Sequence, residues 1–143
     1  MPVHYASNFS GIKKIYEIAD KYKIRVVEDA AHSFGGTSNQ GLVGSFGDIV
    51  CFSFDGIKNI TSGEGGAIVT KDKDIYEKIK DIRLLGVVKD TEKRYAGERS
   101  WDFDVVDQGW RYHMSNIMAS IGRVQLTRLD NFQSSNNYYS KNN

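Results

Sequence analysis

The sequence predicts an α/β fold. Three observations carry that prediction: short β-type apolar stretches alternate with amphipathic helical ones, glycine is dense in the turns between them, and no apolar run approaches the roughly 18 residues of a membrane span. The 143 residues, 40% hydrophobic and 26% charged, suit one compact domain. Lys and Arg number 19 against 18 Asp and Glu, a net charge of +1, and the charges are scattered. That balance is not the basic footprint of a nucleic-acid binder. Cys51 is a single cysteine and fits a reducing cytosol, while Met1–Tyr5 lacks the charged and apolar regions of a signal peptide. Membrane proteins, secreted disulfide scaffolds and disordered chains are disfavoured.

The elements follow in order. Met1–Tyr5 reads as a short strand, and Asn8 or Ser10 as the cap of a helix whose apolar face is Ile12, Ile15, Tyr16 and Ile18. Lys13, Lys14, Glu17 and Asp20 then face solvent. Ile24–Asp29 reads as a buried strand ending in two acids, so that strand, helix and strand form a parallel crossover. After a glycine-rich stretch, Asp48–Phe54 and Ala67–Thr70 read as strands. Lys71-Asp72 leads into a helix over 73–85 with Ile75, Ile79, Ile82 and Leu85 on one face. Residues 87–108 lack a period and read as a long loop. Ser115 caps a last helix that buries or half-buries Ile117, Met118, Ile121, Val124, Gln125 and Leu126, and the polar tail from Phe132 is expected to fray. Composition is compatible with a small complete domain or with the middle of a larger one.

The segment Phe52-Ser53-Phe54-Asp55-Gly56-Ile57-Lys58-Asn59-Ile60-Thr61-Ser62-Gly63-Glu64-Gly65-Gly66 is the most informative. Lys58 follows a buried strand among apolar residues, where burial would favour the neutral amine that a nucleophile requires. On position alone, a surface lysine in a turn is the simpler reading. Asp29 ends a parallel strand, the place where α/β sheets bind ligands; the alternative is that it caps the next segment. A ribose-binding role for Asp29 would need a G-x-G-x-x-G turn upstream, and the sequence has none. Gly63, Gly65 and Gly66 are best explained by tight turns and close backbone approach rather than phosphate binding, and Glu64 is not assigned a catalytic role.

Together, Glu28-Asp29-Ala30-Ala31-His32, Gly47-Asp48, Phe52-Ser53-Phe54, Lys58-Asn59, Gly63-Glu64-Gly65-Gly66, Gly109–Ile117 and Ile121-Gly122 to Gln125-Leu126 resemble the pyridoxal-phosphate (PLP) sugar aminotransferases of the DegT/DnrJ/EryC1/StrS family. The resemblance implies part of the large domain of the aspartate-aminotransferase-like architecture, PLP fold type I, with a mostly parallel sheet and flanking helices. It implies a partial cofactor-binding domain over 1–130 followed by a tail over 131–143. Lys58 matches the Schiff-base lysine, Asp29 the carboxylate that keeps the pyridine nitrogen protonated, and Ser53 a hydroxyl on the cofactor phosphate. His32 matches a position near the ring, with a core histidine as the equal alternative; an outward-facing strand serine is the alternative for Ser53.

The implied reaction moves an amino group from an amino acid, L-glutamate first, to a keto carbon of a nucleotide-linked deoxysugar. The setting implied is a cytoplasmic homodimer in surface-polysaccharide or antibiotic-sugar pathways. A PLP sugar dehydratase is a close relative that carries histidine at the lysine position, so Lys58 favours the transaminase. A non-catalytic fragment or regulatory homologue is the rival from another class. The chain also departs from the family. Family enzymes are longer, so the 143 residues alone are expected to be inactive. Trp110-Arg111-Tyr112-His113-Met114 replaces the usual Tyr-Asn-Tyr-Arg-Met, leaving Arg111 or His113 as the candidate contact to a partner subunit, and 131–137 lacks the usual basic helix.

Overall fold

The computed structural model describes residues 1–98 and 103–132. They fall into two units, Met1–Thr70 together with the segment from Met114 onward, and Lys71–His113.

In the first unit, helix α1 spans Ile12–Tyr22 and strand β1 Val27–Asp29. The two-residue strands β2 (Thr37–Ser38) and β3 (Gly41–Leu42) pair antiparallel, and β4 (Ile49–Ser53) and β5 (Gly66–Thr70) complete the main sheet. Its order is β1-β4-β5. β1 and β4 run parallel with Val27 opposite Ile49, while β5 returns antiparallel to β4 with Gly66 opposite Ser53. The predicted first strand contracts to one parallel bridge between Val3 and Asp29, followed by a 3-10 turn at Tyr5–Ser7. The amide of His4 donates to the Asp29 carbonyl at 2.9 Å, so the extended piece still lies beside β1.

Neither Asn8 nor Ser10 caps α1. Gly11 holds the N-cap position without a side-chain bond, and Asn8 Oδ1 accepts from the Ser10 amide at 3.0 Å, closing a local turn instead. An Asn side chain that satisfies a neighbour two residues on is no longer available to the helix end. Lys23 ends the helix in the left-handed region, φ 53°, its amide donating to Ala19 and Asp20 carbonyls. Ile12 and Ala19 are buried, but Ile18 is exposed.

The core gathers Ala30, Val43, Val50 and Phe52, with Phe9, Phe34, Phe54 and Ala67 packed against them. Phe34 stands edge-on to both Phe52 and Phe54, with ring centroids 5.1 and 5.3 Å apart. Such pairs contribute about 0.5–1.5 kcal/mol beyond simple burial. β4 alternates strictly, Val50 and Phe52 buried in this core and Ile49, Cys51 and Ser53 on the other, half-buried face.

Helix α4, also in this unit, spans Asn116–Leu126, and Ser115 caps it as expected by accepting from the Met118 amide at 3.2 Å. Its predicted apolar face is not buried. Ile117 is 72% exposed, and Ile121, Val124 and Leu126 are also exposed; Met118 and Gln125 are half-buried. Periodicity identified the stripe correctly, but burial depends on a covering surface that helical spacing does not specify.

In the second unit, α2 spans Lys73–Ile82 and is capped by Asp72, whose carboxylate accepts from the Asp74 and Ile75 amides. Ile75, Ile79 and Ile82 are half-buried. Leu85 leaves the helical face: it lies in the left-handed region, φ 68°, and is exposed, while Leu84 is buried in its place. The expected loop over 87–108 contains a six-residue helix, α3 (Asp90–Tyr95), and Val87 and Val105 form an antiparallel bridge. Lys80 of α2 reaches Glu92 of α3 at 2.7 Å as well as Glu77 at 3.1 Å. This tertiary ion pair, invisible to a period count, helps hold the short helix, although exposed pairs contribute little. Residues 99–102 and the predicted polar tail from 133 onward lie outside the described residues.

Candidate active site

Two parallel strands end at one sheet edge. Asp29 lies opposite Cys51, and the Ala30 amide donates to the Cys51 carbonyl at 2.8 Å, so Asp29 and Ser53 both reach the C-terminal edge. Because side chains alternate along β1, Glu28 turns into the interior and Asp29 falls on the half-buried face that carries Cys51 and Ser53. The Cys51 thiol is pushed above its usual range by burial first and the Asp29 charge second, an electrostatic sign of that shared face. Asp29 Oδ1 accepts from the Ala31 amide at 3.1 Å. Among the described residues, no hydrogen-bond donor is assigned to its other oxygen. Ser53 Oγ accepts from the Asp55 amide at 3.3 Å, which leaves its O–H to donate.

Lys58 sits in the turn that follows. Its amide donates to the Asp55 carbonyl at 3.0 Å, and Asp55 Oδ1 accepts from the Ile57 amide at 3.1 Å. The lysine is half-buried, although its neighbour Ile57 is 88% exposed, so the turn is less enclosed than the apolar flanks suggested. Among the described residues, its ammonium enters no hydrogen bond or ion pair. Asn59 joins this turn to the segment after Asp29: its Nδ2 donates to the His32 carbonyl at 3.2 Å and the Phe34 carbonyl at 3.4 Å. Ser7 Oγ also donates to the His32 carbonyl. The His32 ring is half-buried and packs at a tilt against Tyr5, 5.9 Å between centroids.

Behind the edge lies a buried polar network that sequence reasoning missed. His4 Nε2 meets Glu28 Oε2 at 2.9 Å, and His4 Nδ1 is 2.8 Å from Ser33 Oγ. The Tyr16 hydroxyl donates to Glu28 Oε1 at 2.5 Å and accepts from the Asp48 amide at 2.8 Å. Burial, then the bond to Glu28, raise the pKa of the Tyr16 phenol. The available signal was alternation: of two adjacent acids in a strand, one must face the interior and find partners. Gly47, at φ +102°, lies where an added Cβ would collide with Glu28 Oε1, which explains the glycine before Asp48.

The glycines after Lys58 act as expected. Gly63 holds φ +85°, and a Cβ on Gly66 would stand 2.6 Å from the Phe52 carbonyl oxygen. Glu64 is exposed. Arg111 and His113 are exposed members of the second unit; Arg111 forms an antiparallel bridge with Leu84. No three His, Cys, Asp or Glu side chains among the described residues gather to hold a metal ion.

The fold and this edge define an α/β protein with a lysine-bearing turn just beyond the C-terminal edge of its parallel strands. The chain belongs to the DegT/DnrJ/EryC1/StrS aminotransferase family, whose sequence model matches residues 1–141. It is 43% identical over 130 residues to the uncharacterized protein MJ1066 of Methanocaldococcus jannaschii, covering 91% of this chain and 34% of that protein. It is 36% identical over 128 residues to the UDP-4-amino-4,6-dideoxy-N-acetyl-beta-L-altrosamine transaminase of Campylobacter jejuni, covering 90% of this chain and 32% of that enzyme. Among solved structures, PseC of Helicobacter pylori, an aminotransferase involved in pseudoaminic acid biosynthesis, superposes with a TM-score of 0.78 at 28% identity, covering 90% of this chain and 32% of PseC. Spr1654 of Streptococcus pneumoniae in its PLP form gives 0.76 at 27% identity, covering 91% of this chain and 36% of Spr1654. The fold is part of PLP fold type I, and the family's cofactor is PLP. The chain spans about a third of the length of these relatives.

Proposed function

We propose that this chain supplies the cofactor-binding core of an aminotransferase that moves an amino group from an amino acid, glutamate first, to a keto carbon of a nucleotide-linked deoxysugar. The observation that carries the reading is the Lys58 turn, tied by Asn59 to the segment leaving Asp29 at the C-terminal edge of parallel strands. The residues present fit PLP by the chemistry of their donors. A carboxylate with one oxygen not assigned a donor among the described residues suits a protonated pyridine nitrogen, a serine O–H suits a phosphate oxygen, and a primary amine suits an aldehyde; among the same residues that amine enters no hydrogen bond or ion pair. Asp29, Ser53 and Lys58 would hold those three parts, with His32 beside the ring. When bound, PLP supplies an electron sink for charge developing at the donor Cα.

The chain's own residues then have distinct tasks. Asp29 holds a negative charge where the ring proton must stay. Lys58 Nζ would take the proton from the donor Cα and return one as general acid. Arg111 or His113 is the candidate contact to a partner subunit in a homodimer. The core is assigned to residues 1–130, with 131–143 as a tail, and the protein to the cytoplasm. Among the described residues, no helix is long and apolar enough to cross a membrane. The 143 residues alone are proposed to transaminate little, since they span about a third of their relatives' length.

The test is to incubate the full-length protein with PLP, reduce with borohydride and map the labelled peptide. The label is expected on Lys58; a label on Lys71 or Lys73 instead would overturn the assignment. Lys58→Arg is expected to abolish transamination, because guanidinium stays protonated and makes no bond to an aldehyde.

A further inference from the structure

We propose that Asn59 is a positioning residue that sets the reach of Lys58 toward Asp29, a role that rests on reading Lys58 as the cofactor-bearing lysine. The turn around Lys58 is closed by bonds to Asp55, which belong to the turn itself. Those bonds shape the turn but do not fix it to the neighbouring strand's exit. Asn59 spans that gap. Its amide nitrogen donates to two carbonyls, of His32 and Phe34, on the segment that begins immediately after Asp29 and Ala31. An amide NH2 carries two hydrogens, so one side chain can serve both acceptors; an acid or a hydrocarbon of similar shape can serve neither.

The other end of the span is anchored as well. The Ser7 hydroxyl shares the His32 carbonyl, and Ser33 is held by His4, so the accepting segment is fixed to the interior. Asn59 therefore transmits the position of a rigid segment to the residue next to it, Lys58. The side chain itself is exposed, so its replacement removes bonds without opening the core. A cofactor bridging Asp29 and Lys58 needs their separation fixed before it arrives, and catalytic geometry loosened by even an ångström lowers rates steeply.

The test uses the full-length protein with Asn59→Leu, which has no donor, and Asn59→Gln, which keeps one; Asn59→Asp serves if the leucine variant does not fold. The first measurement is amide hydrogen exchange without cofactor. Asn59→Leu is expected to speed exchange about tenfold in both 31–36 and 56–60, the scale of losing two ordinary hydrogen bonds. The second is the rate at which PLP at limiting concentration becomes borohydride-stable on Lys58. That rate is expected to fall several-fold in Asn59→Leu and to recover in part in Asn59→Gln. Unchanged exchange at 31–36, or an unchanged labelling rate, would overturn the proposal. A label on another lysine in the unaltered protein overturns the reading of Lys58 instead, and with it the stated role of Asn59, while the exchange data still report whether Asn59 joins the two segments.

Discussion

The imidazole of His4 and the carboxylate of Glu28 meet at 2.9 Å with 1% and 0% of their surfaces exposed. Each would be expensive to bury alone. Together with the Ser33 and Tyr16 hydroxyls they form a buried polar cluster that ties the N-terminal segment, α1 and the segment after β1 to a single carboxylate.

Removing one member of this set should be costly. Glu28→Ala leaves His4 and the Tyr16 hydroxyl buried without their acceptor, and breaking a buried pair of this kind costs about 3–5 kcal/mol. Urea unfolding of the full-length protein is the measurement. A loss below about 1 kcal/mol, the scale of an exposed pair, would show that water reaches the site.

Gly66→Ala should destabilise by overpacking. The new methyl would stand 2.6 Å from the Phe52 carbonyl oxygen, a backbone atom that cannot swing aside. Forced shifts of this kind cost about 1–3 kcal/mol. Thermal unfolding should show the loss, and Gly56→Ala, where an added Cβ meets nothing within 4 Å, is the control.

The Cys51 thiol should ionise above its ordinary value of 9.0, for burial and the Asp29 charge both oppose the thiolate. The pH profile of alkylation reads this directly. Asp29→Asn should bring the midpoint down only part of the way, because burial is the larger cause. The sign for stability follows: a folded value raised above the unfolded one gives stabilisation present below the unfolded value and lost as pH rises through the folded one. An unmoved midpoint in Asp29→Asn would separate the two side chains.

The same variant tests catalysis. Asp29→Asn should leave PLP binding measurable while turnover falls by roughly a hundredfold or more, in the range typical for loss of positioned proton chemistry. A rate near that of the unaltered protein would remove Asp29 from the mechanism.

Strands β1, β4 and β5 and the three longer helices were legible because period and turn chemistry are local properties, whereas the two-residue β2 and β3 were not read and the strand expected at Met1–Tyr5 is a single bridge. Asp29, Ser53 and Lys58 were singled out as motif members, but the edge shared by Asp29 and Ser53 comes from the parallel pairing of β1 with β4, which the crossover of the first 29 residues did not imply. What was not legible depended on distant partners. His4 carries no spacing cue; its burial is decided by Glu28 and Ser33. Asn59 looks like any polar residue in a turn until the carbonyls of His32 and Phe34 are placed beside it. Ile117 and Val124 satisfy the rule for a buried stripe yet are exposed, since helical spacing reports amphipathicity and says nothing of a covering surface.

The mixed direction of the sheet bears on how the chain assembles. Ser53 pairs with Gly66 across a shorter connection than the one between β1 and β4, so β4 and β5 can close on each other first. Val27 must find Ile49 through the glycine-rich stretch, and Val3 must find Asp29 past a whole helix. Loop-closure entropy makes those parallel contacts slower to nucleate. The edge that gathers Asp29 and Ser53 is thus completed after the β4–β5 pair, and in refolding the β4–β5 amides should acquire protection before the β1 amides do.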